Sequence, residues 1–255
     1  MNSLLHYDLM RLTAFQKNES VKNEIAINKH GELTLLKFNQ VNYFNYCIGK
    51  IISLEALNLI ESFYADTNDK KYQILIDAKD TFSQNILEGE SKYQLKEKIA
   101  IMKLEHHEEP VFFHNEKVRL EPVTAESIDR FSWLYLECFE AENRHAESVE
   151  ENFRQKLKIE GIQFYFIVYD DKFVGITGTY FDPVFSILSV AAIQKSYRNL
   201  GLHKVILTNR IKHLRIQFEN RPIFSWAYKN SISHQNMIKS GMSLSEEILV
   251  YQYAV

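Results

Sequence analysis

Cysteine is scarce in this chain of 255 residues: Cys47 and Cys138 stand far apart, in no metal or redox spacing. That excludes a disulfide framework and favours two buried thiols in a reducing compartment. Long apolar runs are missing as well. None approaches the ~18 residues needed to cross a bilayer. The opening MNSLLHYDLMRLTAFQ lacks a basic stretch followed by a continuous apolar one. Neither a membrane span nor a secretion signal is therefore expected, and the cytoplasm is the default location. No charge of one sign dominates, since 30 Lys and Arg against 33 Asp and Glu leave a formal −3. A nucleic-acid-binding chain would usually be plainly basic, so no nucleic-acid partner is expected. Gly-x-Ser-x-Gly, P-loop and dinucleotide fingerprints are all absent. Glycine is rare, with 8 in the whole chain, so the place of each one carries information.

What remains is an ordinary globular composition, 45 % hydrophobic and 25 % charged with 17 Phe and 14 Tyr. A sizeable core can be buried, and the length allows two domains. Leu5, Leu9 and Leu12 predict an amphipathic helix over 3–17 with Asp8 and Arg11 off the apolar face. EIAIN-KHG-ELTLLKF predicts two strands about a turn at Gly31. Ser53 is placed as the N-cap of a helix over 53–64. A strand at YQILID, a short helix near 81–88 and a strand at KEKIAIMKL follow. The polar segment EHHEEPVFFHNE, with Pro110, fits neither period and marks the domain boundary. Beyond it come a strand at KVRLEPV and helices over about 125–140 and 146–159. FYFIVYDD and KFVGITGTYF form a hairpin at Asp170-Asp171, and FSILSVAAI forms a third strand. The helix after Gly201 carries Leu207, Ile211, Leu214 and Phe218 on one stripe. A strand PIFSWAY, a helix over 231–240 stopped by Gly241 and a last strand EEILVYQY complete an α/β pattern with mixed strand directions.

A shift of 151 residues lays ILIDAKDTFSQNILEGE over SWAYKNSISHQNMIKSG, with Gln84-Asn85 on Gln235-Asn236. The same shift sets Tyr46 on Tyr197 and Cys47 on Arg198. The glycine of the second half, in Arg198-Asn199-Leu200-Gly201-Leu202-His203, has no counterpart in the first. At a strand-to-helix junction a glycine lets backbone approach a ligand closely. The first N–H groups of the helix lack intrahelical partners, and the helix dipole favours an anion there. Arg198 and Lys204 add cations. A phosphate group fits such a nest, although a tight connection alone would also use a glycine.

Downstream, Asn230-x-x-Ser233-x-x-x-Met237-x-Lys239-x-Gly241-Met242 follows the next strand. The two motifs in this order resemble the GNAT superfamily of acyl-CoA-dependent N-acyltransferases, over about residues 116–255. The first half, through Asn42-Tyr-Phe-Asn45-x-x-x-Gly49 and the helix ending Ile60-Glu-x-Phe63-Tyr64, resembles the degenerate amino-terminal GNAT-like domain of two-domain members. The resemblance implies a mixed, splayed central sheet flanked by helices, preceded by a smaller degenerate α/β domain. The divisions are 1–108, a linker 109–116, and an N-acetyltransferase domain 117–255.

By the same resemblance, acetyl-CoA would be the cosubstrate. Ile193 would pair with the pantetheine arm, and the N–H of Ala191 would point at the thioester carbonyl, where a donor stabilises the oxyanion. The diphosphate would rest on the N–H groups of Asn199, Leu200, Gly201, Leu202, His203 and Lys204, with Arg198 nearby. Asn230 would help hold the arm, and Ser233 is grouped with the cofactor-binding residues. Two positions depart from the family pattern. His203 stands where a second small residue is usual and is expected to swing outward toward a phosphate. Met237 stands where many members have a proton-donating tyrosine, and methionine cannot donate; His234, one turn earlier, is the candidate substitute. No general base is assigned among Tyr180, Asp182, Ser189, Glu137 and Glu140, although a lysine-like amine with a pKa of about 10.4 needs one.

The implied activity is acetyl transfer from acetyl-CoA to a primary amine of a small molecule or peptide through a ternary complex. Two alternatives on the same scaffold are an acyl-CoA-binding sensor without turnover and an aminoacyl or longer-acyl transferase. His106-His107-Glu108-Glu109 reads as a solvated linker rather than a metal site. Lys204, Arg210, Lys212, His213 and Arg215 read as the wet side of their helix. Trp133 and Trp226 are expected in the core.

Overall fold

In the computed structural model, which describes residues 3–65, 72–141, 145–218 and 220–253, the chain opens with helix α1 (Ser3–Phe15). Its buried face is Leu4, Tyr7, Asp8, Leu12 and Phe15, which keeps the predicted Leu12 but is rotated by about one residue from Leu5 and Leu9, both half-buried. Asp8 lies inside because partners meet it there. The Tyr46 hydroxyl donates to its carboxylate at 2.7 Å and the Arg11 guanidinium pairs with it. Strands β1 (Ile25–His30) and β2 (Leu33–Phe38) form the predicted hairpin about Gly31. A short strand β3 (Tyr46–Ile48), too brief to show a period, leads to α2 (Leu54–Phe63). Ser53 caps α2 by accepting from the Ala56 N–H. Next come β4 (Gln73–Asp77), α3 (Thr81–Gly89) and β5 (Tyr93–Leu104).

The chain divides into two units that do not follow chain order. One holds the residues up to Ile101 together with Ala227–Lys229 and Ser245–Val255; the other holds Met102–Trp226 and Asn230–Leu244. In the first, the strands run β1-β2-β3-β4, then the last strand of the chain, then β5. That last strand, assigned by sequence to the second domain, pairs antiparallel with β4 from Ile248↔Asp77 to Gln252↔Gln73. Its Leu249 and Tyr251 join Leu35, Leu57, Ile60, Tyr64 and Ile74 in the core of this unit. An edge strand with an apolar inner face is stable only once covered, and sequence pattern cannot say which neighbour covers it.

The second unit contains β6 (Val118–Pro122), α4 (Ile128–Cys138), α5 (Ala146–Leu157), β7 (Ile162–Tyr169), β8 (Lys172–Phe181), β9 (Ser186–Ile193), α6 (Leu202–Gln217), β10 (Ile223–Tyr228), α7 (Ile232–Lys239) and the start of β11 (Ser243–Tyr253). Its strands run β10-β9-β8-β7-β6, antiparallel except for the parallel β9–β10 pair. The β7–β8 turn puts Asp170 and Asp171 at φ 51° and 60°, the left-handed pair that a two-residue hairpin requires. On one face of the sheet Phe131 of α4 and Phe153 of α5 meet Phe164. On the other, Leu202, Val205 and Ile206 of α6 pack on Val118, Ile167 and Val174. Trp133 is not in this core. It is 62 % exposed, because Phe131 and Leu134 already fill the inward side of α4. Arg210, predicted on the wet side of α6, is 2 % exposed.

The internal repeat is structural: β3-α2-β4-α3-β5 and β9-α6-β10-α7-β11 have the same element order. The shift of 151 holds at β4 over β10 and α3 over α7, but not further back. Tyr46 lies inside β3, whereas Tyr197 lies in a single turn after β9. The α6 copy is the longer one, and the register slips there.

Candidate active site

The two copies differ most where their parallel strands meet. In the first unit β3 stays beside β4 through Tyr46↔Gln73, Cys47↔Ile74 and Ile48↔Leu75, and the Gly49 N–H extends the ladder to Leu75. In the second, β9 pairs with β10 at Ser186↔Ile223 and Ile187↔Phe224. Ser225 Oγ still reaches the Leu188 carbonyl at 3.0 Å. Beyond that, the residues from Ser189 to Ile193 are half-buried.

The β8–β9 register explains which groups line this edge. Thr177 faces Ala191 while Thr179 faces Leu188, so Ser189 and Val190 share a bulge opposite Gly178. Gly178 is required there, since a Cβ would come within 2.8 Å of Ser189 Oγ and 2.9 Å of the Phe164 ring. Past the bulge the Gln194 N–H donates to the Val174 carbonyl at 2.9 Å. That bond makes Ile193↔Gly175 a non-hydrogen-bonded pair. By ladder alternation Ala191↔Thr177 is another. The N–H groups of Ala191 and Ile193 therefore point away from β8, toward the edge that β10 has left.

The turn that follows places Asn199 at φ 66° and Gly201 at φ 71°. Gly201 is the N-cap of α6 and no side chain caps this helix, in contrast to Ser53 on α2 and Asp80 on α3. A Cβ on Gly201 would meet nothing within 4 Å, so the space beside this residue is open. Leu200 and Asn199 are exposed and Leu202 is buried. Arg198 turns back on its own loop. Its Nε donates to the Ile193 carbonyl at 3.0 Å, its Nη2 to the Cys138 carbonyl at 2.8 Å, and Nη1 meets Glu140 at 3.4 Å. Lys204 lies over the Phe113 ring at 4.6 Å. His203 is turned inward, against the outward expectation, and its Nδ1 accepts from the Asn236 side-chain amide at 3.1 Å. Burial and the charge of Arg210 push its pKa down to about 4. The cause is the α6–α7 packing, where Asn236 offers a donor that solvent-facing His203 would leave unpaired.

On α7, Ser231 caps the helix by accepting from the His234 N–H, and His234 Nδ1 accepts the Asn230 N–H at 3.1 Å. With Nδ1 accepting, the proton of neutral His234 sits on Nε2. Asn230 is left-handed at φ 66° and exposed, Ser233 is half-buried and Met237 is buried. The candidate bases are tied elsewhere. Glu137 accepts from Gln194 at 2.8 Å, Glu140 faces Arg198 and Lys195, and Asp182 holds the N–H groups of Val184 and Phe185. Tyr180 is buried, and Ser189 Oγ is buried without a hydrogen-bond partner. Both thiols are buried, and burial pushes Cys138 up to about 12 and Cys47 further still.

The fold is similar to that of solved structures. A GCN5-related N-acetyltransferase from Kribbella flavida matches at a TM-score of 0.64 and 11 % identity, over 96 % of this chain and 95 % of that one. The chain has the GNAT fold. Another GCN5-related N-acetyltransferase, from Sphaerobacter thermophilus, matches at a TM-score of 0.65 and 12 % identity over 96 % and 90 % of the two chains. A tandem GNAT protein from the clavulanic acid biosynthesis pathway matches at 0.58 and 12 %, over 89 % and 82 %. No protein-family model and no curated protein sequence matches the chain. Within the GNAT fold, the parted strands and the glycine-started helix belong to the second unit, while the first keeps its parallel pair joined.

Two residues of this site escaped the sequence reading. Thr177 and Arg210 both reach the Val190 carbonyl; a threonine in a strand and an arginine on a basic helix carry no periodic signal. A shallow cavity of about 310 Å³ lined by Arg130, Trp133, Leu134, Asp171, Lys172 and Phe173 shares no residue with the predicted site. Among the described residues no cluster of three metal-ligating side chains occurs, and no helix is long and apolar enough to cross a membrane.

Proposed function

We propose that this chain is an N-acyltransferase that transfers the acetyl group of acetyl-CoA to a primary amine of a small molecule or peptide in a ternary complex. The observation that carries this reading is the edge opened where β9 leaves β10, with the Ala191 and Ile193 N–H groups on it and an uncapped helix start directly after. The Ile193 N–H serves the pantetheine arm as a strand partner would. The first-turn N–H groups of α6 around Gly201 take the diphosphate, where the helix dipole adds to unpaired donors. Arg198 acts from behind, fixing the turn, rather than as the main phosphate contact. Asn230 and Ser233 flank the arm from the β10–α7 connection.

In the reaction the neutral amine attacks the thioester carbon, and the carbonyl oxygen gathers charge against the Ala191 N–H. Removing a donor of this kind typically costs about 10²–10³ in rate. Collapse breaks the C–S bond, and the proton that the nitrogen sheds on becoming an amide ends on the thiolate through water. His234, with its Nε2–H free to donate, is proposed as the hydrogen-bond donor that stabilises the leaving sulfur in place of the tyrosine that Met237 replaces.

A second reading has its own support: buried Met237 cannot donate, and Glu137, Glu140 and Asp182 are each engaged with other partners, which favours an acyl-CoA sensor on the same scaffold. Incubation with acetyl-CoA and a panel of amines, polyamines, amino acids and peptides, followed by free thiol, separates the two. Thiol release is expected. Thermal stabilisation by CoA with no thiol release favours the sensor, and absence of stabilisation at saturating CoA refutes both.

A further inference from the structure

The Val190 carbonyl and the Ala191 N–H belong to one peptide unit, and in a trans peptide they point in opposite directions. What holds the oxygen therefore aims the hydrogen. Two side chains hold it. Thr177 Oγ1, on the neighbouring strand, donates to the Val190 oxygen at 2.9 Å. Arg210 Nη1, from α6, reaches the same oxygen at 3.4 Å, the Ser189 oxygen at 3.4 Å and the Gly178 oxygen at 3.1 Å. Thr177 is fully buried and Arg210 is 2 % exposed. No carboxylate pairs with Arg210 among the described residues, and burial alone pushes its pKa down to about 9. A charged side chain in the interior without a counter-ion is costly unless its surroundings use it. Here it faces the carbonyl oxygens of the β9 bulge.

We propose that Thr177 and Arg210 are positioning residues for acyl transfer: they fix the Val190–Ala191 peptide with its N–H on the open edge of β9 and polarise it as a donor. The pairing of Ala191 with Thr177 leaves the Val190 carbonyl beside the Gly178 N–H at the bulge, where the ladder is irregular, and the two side chains add to that backbone contact in fixing the plane of the peptide. A hydrogen bond accepted at one end of an amide strengthens the one donated at the other, and the Arg210 charge acts in the same direction. The inference rests on the proposed function only in taking the Ala191 N–H as the partner of the thioester carbonyl.

The test is infrared difference spectroscopy of acetyl-CoA, carrying ¹³C at the thioester carbonyl, bound to the full-length protein and its variants. Wild type is expected to lower the carbonyl stretch relative to free acetyl-CoA. Thr177→Val, which keeps shape and removes the hydroxyl, is expected to shrink that shift by about 10–30 %, and Arg210→Gln to shrink it as well. Thr177→Ser is expected to restore it, which a purely structural role for the residue does not require. The Thr177 pair decides the matter if Arg210→Gln fails to fold. An unchanged shift in Thr177→Val overturns this inference alone. Acetyl-CoA bound by wild type with no shift overturns the Ala191 assignment. Failure of wild type to bind acetyl-CoA overturns the proposed function and this inference together.

Discussion

Replacing His203 with glutamine removes a titrating group from the first turn of α6 while keeping an acceptor for Asn236. In the folded protein burial and the Arg210 charge hold the imidazole at about 4, against an ordinary value of 6.5. The unfolded chain therefore takes up this proton first as pH falls. The part of the stability linked to this proton is lost from about pH 6.5 downward, and the loss is complete below about pH 4, because νU exceeds νN only inside that window. Linkage gives a loss of up to about 2 kcal/mol between pH 7 and pH 5, an upper bound because the half-buried ring keeps some contact with solvent. Protonation at Nδ1 also sets two donors face to face across the 3.1 Å contact to Asn236. Denaturant unfolding of wild type and His203→Gln at several pH values between 5 and 7.5 reads this directly. The stability difference between the two should move against wild type as the solution is acidified. Parallel pH profiles would refute the inward placement of His203.

Arg198→Ala should cost about 1–2 kcal/mol, since it removes two partly exposed hydrogen bonds to carbonyls and a surface ion pair, and should lower Tm by several degrees. CoA affinity should fall alike at low and high salt, because the loss acts through the turn; a loss that vanishes at high salt with an unchanged Tm would instead mark Arg198 as a direct phosphate contact. Truncation after Leu244 removes Leu249 and Tyr251 from the first unit's core and unpairs β4. Limited proteolysis should then cut within residues up to Ile101, and full resistance there would contradict the strand order.

The elements that the sequence determined by itself are those whose signal is local. Ser53 ahead of an apolar stripe, Asp170-Asp171 between two alternating runs, and Gly201 between strand and helix each fix their structure through neighbouring residues, and each is found where predicted. The order of the motifs sufficed to point to the GNAT fold. Tertiary structure alone decided matters that depend on distant partners. Asp8 is buried because Tyr46 and Arg11 meet it, Arg210 because bulge carbonyls receive it, and His203 because Asn236 does. The last strand left the domain that sequence order assigned to it because β4 offered a ladder and an apolar face. Periodicity tells which side of an element is apolar. It carries no information on which polar group will find its partner inside.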